Sequence, residues 1–132
     1  MAEGGCQCGA VRYAITGDLE RHALCHCSDC RASSGAPMMG WLVVEQARMQ
    51  ITKGTPQAYQ SSENASRHFC ATCGTGLFYY NPVYLPGMVD VQSCTLDDPD
   101  AAPAGAHIMV TERVGWMEHA HDWPQFETFP GE

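Results

Sequence analysis

The sequence predicts an all-β domain with little helix, and three observations carry that reading. Apolar residues recur at every second position over short runs, the period of a half-buried strand. Glycine and proline break the chain between those runs, at Gly35-Ala36-Pro37, Lys53-Gly54-Thr55-Pro56, Asn81-Pro82 and Pro86-Gly87. No amphipathic helix longer than a turn or two fits the pattern.

The first strand falls in residues 10–16, where Val11, Tyr13 and Ile15 share one face and Arg12 lies on the other. The pair Cys6-Gln7-Cys8 therefore opens a strand. Short β-type runs follow at residues 38–44 and 49–52, on either side of Glu45-Gln46-Ala47. Phe69 and residues 77–80, 88–95 and 107–111 continue the series. Residues 97–105, rich in Ala, Pro, Asp and Gly, read as a surface loop, and past Trp116 the pattern becomes irregular. Trp41, Tyr59, Phe78, Tyr79, Tyr80, Trp116 and Trp123 are assigned to the core and its seams. A chain of 132 residues fits one domain, residues 1–132.

Fifteen acidic residues against seven basic ones give a net charge of −8, with no Lys/Arg cluster, which disfavours a nucleic-acid partner. The longest apolar stretch, residues 36–44, is far short of the roughly twenty needed to cross a bilayer, so no membrane span is expected. Residues 1–5 carry no basic stretch followed by an apolar run, so no secretory signal is expected and a cytoplasmic location is. Thiols stay reduced there, and close-spaced cysteines then read as metal ligands or redox groups before they read as disulfides.

Seven of the eight cysteines form three groups: Cys6-Gln7-Cys8, Cys25-His26-Cys27-Ser28-Asp29-Cys30 and Cys70-Ala71-Thr72-Cys73. A structural zinc takes four protein ligands, whereas a catalytic zinc takes three and keeps a position for water or substrate. Seven thiols divide into one site of each kind. Cys6, Cys8, Cys70 and Cys73 would close the first; both pairs lead through a glycine, Gly9 or Gly74, into a strand, like two halves of one knuckle. Zinc binding of roughly 10–16 kcal/mol rivals the whole stability of a domain, so this ion is expected to hold the fold. Pairing one of these doublets with part of the triplet is the alternative that spacing leaves open.

Cys25, Cys27 and Cys30 would hold the second zinc through three thiolates with one position open. Three thiolates make a weaker Lewis acid than three imidazoles, which favours holding an incoming thiol as thiolate over activating water for hydrolysis. Such a thiolate suits attack on a small carbonyl, or the reverse cleavage. His22, His26, His68 and Cys94 are the side chains that would otherwise fill the position, leaving a non-catalytic two-zinc scaffold. His26, between Cys25 and Cys27, points away from both if that segment is extended. Asp29 and Arg31 flank Cys30, and Ser33-Ser34-Gly35 offers either donors to a substrate oxygen or an ordinary polar bend. A Cys-x-x-Cys oxidoreductase fits poorly, since no βαβ pattern surrounds Cys70 and Cys73.

Over essentially its full length the chain resembles the glutathione-dependent formaldehyde-activating enzyme family. Gly5-Cys6-Gln7-Cys8-Gly9, Cys25-His26-Cys27-Ser28-Asp29-Cys30-Arg31 with Ser34-Gly35, and Phe69-Cys70-Ala71-Thr72-Cys73-Gly74 with Leu77 carry the match in order and spacing. Leu96-Asp97-Asp98-Pro99, His107-Ile108, Trp116 and Pro124-Gln125-Phe126 add weaker similarity. The resemblance implies a β-tent of short antiparallel sheets with zinc knuckles. It implies two zinc ions, a structural one on Cys6, Cys8, Cys70 and Cys73 and a catalytic one on Cys25, Cys27 and Cys30. The implied activity is a carbon–sulfur lyase that joins glutathione and formaldehyde, or a related thiol and aldehyde, into an adduct or reverses that step.

Overall fold

The computed structural model describes residues 1–131. The strands β1 (Ala2–Gly5), β2 (Arg12–Ile15) and β5 (Met49–Lys53) form a small antiparallel sheet in the order β1-β2-β5. A larger sheet runs through β10 (Ala106–Ile108), β3 (His22–Cys25), β4 (Met39–Glu45), β9 (Met88–Gln92), β8 (Gly76–Tyr80), β7 (Ser66–Phe69) and β6 (Gln57–Gln60). One α-helix, α1 (Ser28–Ser34), is present among the described residues. The protein is all-β in class, as the alternation predicts.

The core lies between the two sheets. Val11, Tyr13 and Ile15 project together from the β2 region and are buried, as their spacing requires, against Leu42 and Val44 of β4, Phe78 of β8, and Val89 and Val91 of β9. The Tyr13 ring meets Phe78 edge-on at 5.3 Å, and its hydroxyl lies 2.7 Å from Thr95 Oγ1, so the buried phenol keeps a polar partner. Each side chain of this size contributes about 1.5–3 kcal/mol when fully buried, so this seam joins the sheets. The opposite face of the large sheet carries Met39, Trp41, Tyr79, Asp90 and Gln92, because strand register alternates side chains across it.

Three strands lie where the apolar pattern gives no signal. β1 and β6 are Ala-Glu-Gly-Gly and Gln-Ala-Tyr-Gln, edge strands held by main-chain pairing more than by burial. β3, His-Ala-Leu-Cys, is too short to show a period. β10 runs parallel to β3, a departure from the otherwise antiparallel pairing. The strand expected over residues 88–95 ends at Gln92. A 3-10 turn, Ser93–Thr95, follows and brings Leu96 back onto Gly4. Residues 97–105 form a tied loop. Arg12 grips the Asp97 carboxylate with both prongs, Ala102 is buried, and His22 Nδ1 lies 2.7 Å from the Ala102 carbonyl oxygen. No helix among the described residues is long and apolar enough to cross a membrane.

Candidate metal centres

Two turns face each other where the sheets meet. Cys6 and Cys8 lie in the turn from β1 to β2, and Cys70 and Cys73 in the turn from β7 to β8. Their backbones repeat one another. Cys6 N–H donates to Val11 O and Gly9 N–H to Cys6 O, both at 3.1 Å; Cys70 N–H donates to Thr75 O at 2.9 Å and Gly74 N–H to Cys70 O at 2.8 Å. Gly9 and Gly74 take φ of 80° and 83°, the left-handed region that costs a residue with a Cβ about 1–2 kcal/mol. The sequence echo is thus a structural duplication.

The four sulfurs lie within 4.8 Å of one another. Cys6 and Cys8 are 3.7 Å apart, Cys8 and Cys70 3.8 Å. A tetrahedron built on zinc–sulfur bonds of about 2.3 Å has edges of about 3.8 Å, so the cage fits such an ion. Donors converge on it: Val11 N–H reaches Cys6 Sγ at 3.2 Å, and the Thr75 hydroxyl lies 3.2 Å from Cys73 Sγ. The Thr75 hydroxyl and N–H bring the Cys73 thiol down to about 5. At Cys8 the Ala10 N–H favours the thiolate, but burial and the neighbouring sulfurs outweigh it and push the thiol up to about 11. Four thiolates this close need a cation among them.

The triplet is built differently. Cys25 ends β3, Cys27 is the N-cap of α1, and Cys30 sits inside the helix. Cys27 Sγ accepts the Cys30 N–H at 3.2 Å, and Gly35, with φ of 73°, closes the helix by donating to Arg31 O at 2.7 Å. This cap explains a helix of only seven residues where the sequence suggests a polar bend. The three sulfurs lie within 4.8 Å of one another, with Cys25 and Cys30 3.7 Å apart and Cys27 and Cys30 at 2.8 Å. Burial pushes the Cys25 thiol up to about 12 and raises Cys30 as well, so both resist ionising until a cation compensates them.

Trp41 and Tyr79 border the triplet, a role that sequence reasoning, which placed them in the core, does not supply. The Trp41 indole N–H donates to Cys30 Sγ at 3.4 Å, and the two rings lie 5.9 Å apart. The β3–β4 register, which opposes Cys25 to Met39 and Ala23 to Trp41, brings the indole there.

None of the four candidate closing residues joins the triplet within ligand distance among the described residues. His26 is buried with its Nε2 2.9 Å from His107 Nδ1, and burial first, then Arg113 and His107, lower its pKa. His22 is held by Ala102, His68 Nε2 lies 3.0 Å from Ser66 Oγ, and Cys94 is exposed. The Ser33 and Ser34 hydroxyls both donate to Cys30 O, at 3.0 and 2.7 Å, so they serve the helix end and not an oxyanion. Asp29 stands in the first turn of α1, and Ser28 rather than Asp29 or Arg31 carries the helix's tie to Glu112. The two cysteine groups could each hold a metal ion.

A Halomonas elongata protein that carries the family's name is 27% identical over 130 residues, covering 89% of this chain and 80% of that protein. An uncharacterized lyase of Schizosaccharomyces pombe is 28% identical over 112 residues, covering 74% of this chain and 81% of its own length. The crystal structure of a Rhodobacter sphaeroides protein superposes with a TM-score of 0.64 at 23% identity, covering 80% of this chain and 98% of that one, which establishes the shared fold. Residues 1–112 match the glutathione-dependent formaldehyde-activating enzyme profile, and the chain belongs to that family.

Proposed function

We propose that this protein is a zinc-dependent carbon–sulfur lyase that joins glutathione, or a thiol like it, to a small aldehyde such as formaldehyde and also catalyses the reverse step. Cys6, Cys8, Cys70 and Cys73 hold a structural zinc, and Cys25, Cys27 and Cys30 hold a catalytic one. The observation that carries the reading is the triplet with no fourth protein ligand atom in reach among the described residues, set beside the closed group of four. The family and the lyase-named relative support it.

Zinc at the triplet would supply a Lewis acid that keeps an entering thiol as thiolate at neutral pH. The protein does the rest. Cys25 and Cys30 are buried and fix two of the donor positions, while half-exposed Cys27 leaves the approach open. The Trp41 N–H neutralises part of the charge on Cys30, and the apolar wall of Met39 and Trp41 keeps water from competing with the thiol. In the forward step the sulfur–carbon bond forms as the carbonyl π bond breaks, and the proton released by the thiol ends on the new hydroxyl. No redox change occurs. The thiols stay available in a reducing compartment such as the cytoplasm.

Two-dimensional exchange NMR of glutathione with labelled formaldehyde tests this reading. Zinc-loaded protein is expected to accelerate formation of the hydroxymethyl thioether at least tenfold over the spontaneous rate, and Cys27→Ser to abolish the acceleration while retaining the fold. A loaded protein that leaves the spontaneous rate unchanged would instead be a zinc scaffold.

A further inference from the structure

A cleft of about 910 Å³ opens along α1, the helix that carries Cys30, and is bordered also by Gly74 and Thr75 of the four-cysteine turn. One wall is α1, through Asp29 and Ser33 on the helix that carries Cys30; the other is the large sheet, through Tyr59 of β6, Arg67 of β7 and Gln92, the last residue of β9. Arg67 is the only Lys or Arg among the described residues that line it. Arg12 is paired with Asp97 and Arg48 with Glu45, whereas the Arg67 side chain makes no ion pair or hydrogen bond among the described residues. Its guanidinium lies over the Tyr79 ring, 4.9 Å from the centroid. Asp90 feels the charge of Arg67, yet its Oδ1 is buried without a donor, so that pair is not made.

The path from sulfur to cation is continuous. Cys30 Sγ receives the Trp41 N–H, Trp41 packs on Tyr79, and Tyr79 carries Arg67. Stacking on a ring orients a guanidinium while leaving its N–H fork free, which matches the two oxygens of a carboxylate.

We propose that Arg67 selects the thiol by pairing with one of its carboxylates, so that the cleft takes carboxylate-bearing thiol peptides over neutral thiols. The inference rests on the triplet being the thiol-binding site. Asp29 on the opposite wall gives the ammonium of such a peptide its own partner, so the cleft suits a zwitterionic head better than a simple anion.

Calorimetric titration of metal-loaded wild type, Arg67→Gln and Arg67→Lys with three probes tests this. The probes are glutathione, S-methylglutathione, which keeps the carboxylates but has no free thiol, and neutral 2-mercaptoethanol. Arg67→Gln is expected to weaken both glutathione ligands about tenfold or more and to leave 2-mercaptoethanol within about twofold, with partial recovery in Arg67→Lys. S-methylglutathione reads the cleft without the metal's open position, so its result stands apart from the lyase reading. Equal affinity of both glutathione ligands for wild type and Arg67→Gln, no binding of either to wild type, or an equal loss for 2-mercaptoethanol would each overturn the role of Arg67, whatever the turnover experiment gives.

Discussion

Gly74 shows what one backbone angle does for a sulfur cage. Its φ of 83° lets the chain fold back so that its N–H reaches Cys70 O, and no neighbouring atom lies within 4 Å of where a Cβ would stand. Any cost of substitution is therefore torsional and not steric. Gly74→Ala is expected to destabilise the metal-loaded protein by about 1 kcal/mol, roughly 4 °C in Tm, while Gly74→Asn recovers part of that because asparagine tolerates this region. Thermal unfolding checks it; an asparagine variant as unstable as the alanine one would point to a lost close contact instead. At this scale the sequence was informative wherever chemistry is local. The cysteine groups and their glycines are legible because ligand spacing and turn geometry act over a few residues. Arg67 is not, since a lone arginine acquires meaning only from the Tyr79 ring beneath it and the helix across the cleft.

Strand β9 illustrates how an element can carry a cost. Val89 and Val91 fill the core, and strict alternation sends Asp90 to the other face, buried and with Oδ1 lacking a donor. Burial pushes its carboxyl up to about 6, against the pull of Arg21 and Arg67. The folded value thus lies above the unfolded one, so the ionised carboxylate destabilises the native state. That cost is absent below about pH 4, grows between pH 4 and 6 and is complete above, on the order of 2–3 kcal/mol. Asp90→Asn should therefore stabilise the protein by that order at pH 7.5, with the gain shrinking towards zero at pH 4. Denaturant unfolding across this range decides it, and a gain that did not depend on pH would show that Asp90 titrates alike in the folded and unfolded chains. Elements with a clear period, such as the β2 region and β4, were legible in the chain. α1 and β3 were not, because a seven-residue helix capped by a ligand cysteine and a four-residue strand present no period to read.

At the scale of the molecule, the two cysteine groups have different mechanical settings. The group of four ties the turn of the small sheet to the turn of the large one, adding a second joint to the apolar seam between them. The group of three sits at the end of one sheet, packed beside the short helix α1. The parallel β10 strand completes this end, placing His107 against His26 behind the triplet. A resemblance read from cysteine spacing anticipates the two-site partition; the cleft depends on how β6, β7 and β8 register against α1, which no local pattern encodes.

X-ray absorption at the zinc edge, before and after glutathione is added to the two-zinc protein, reads the open position at the triplet. Seven sulfurs shared by two ions are expected, rising to eight as the thiol enters the triplet site. A first shell already complete with protein ligands, or one that glutathione leaves unchanged, would contradict it.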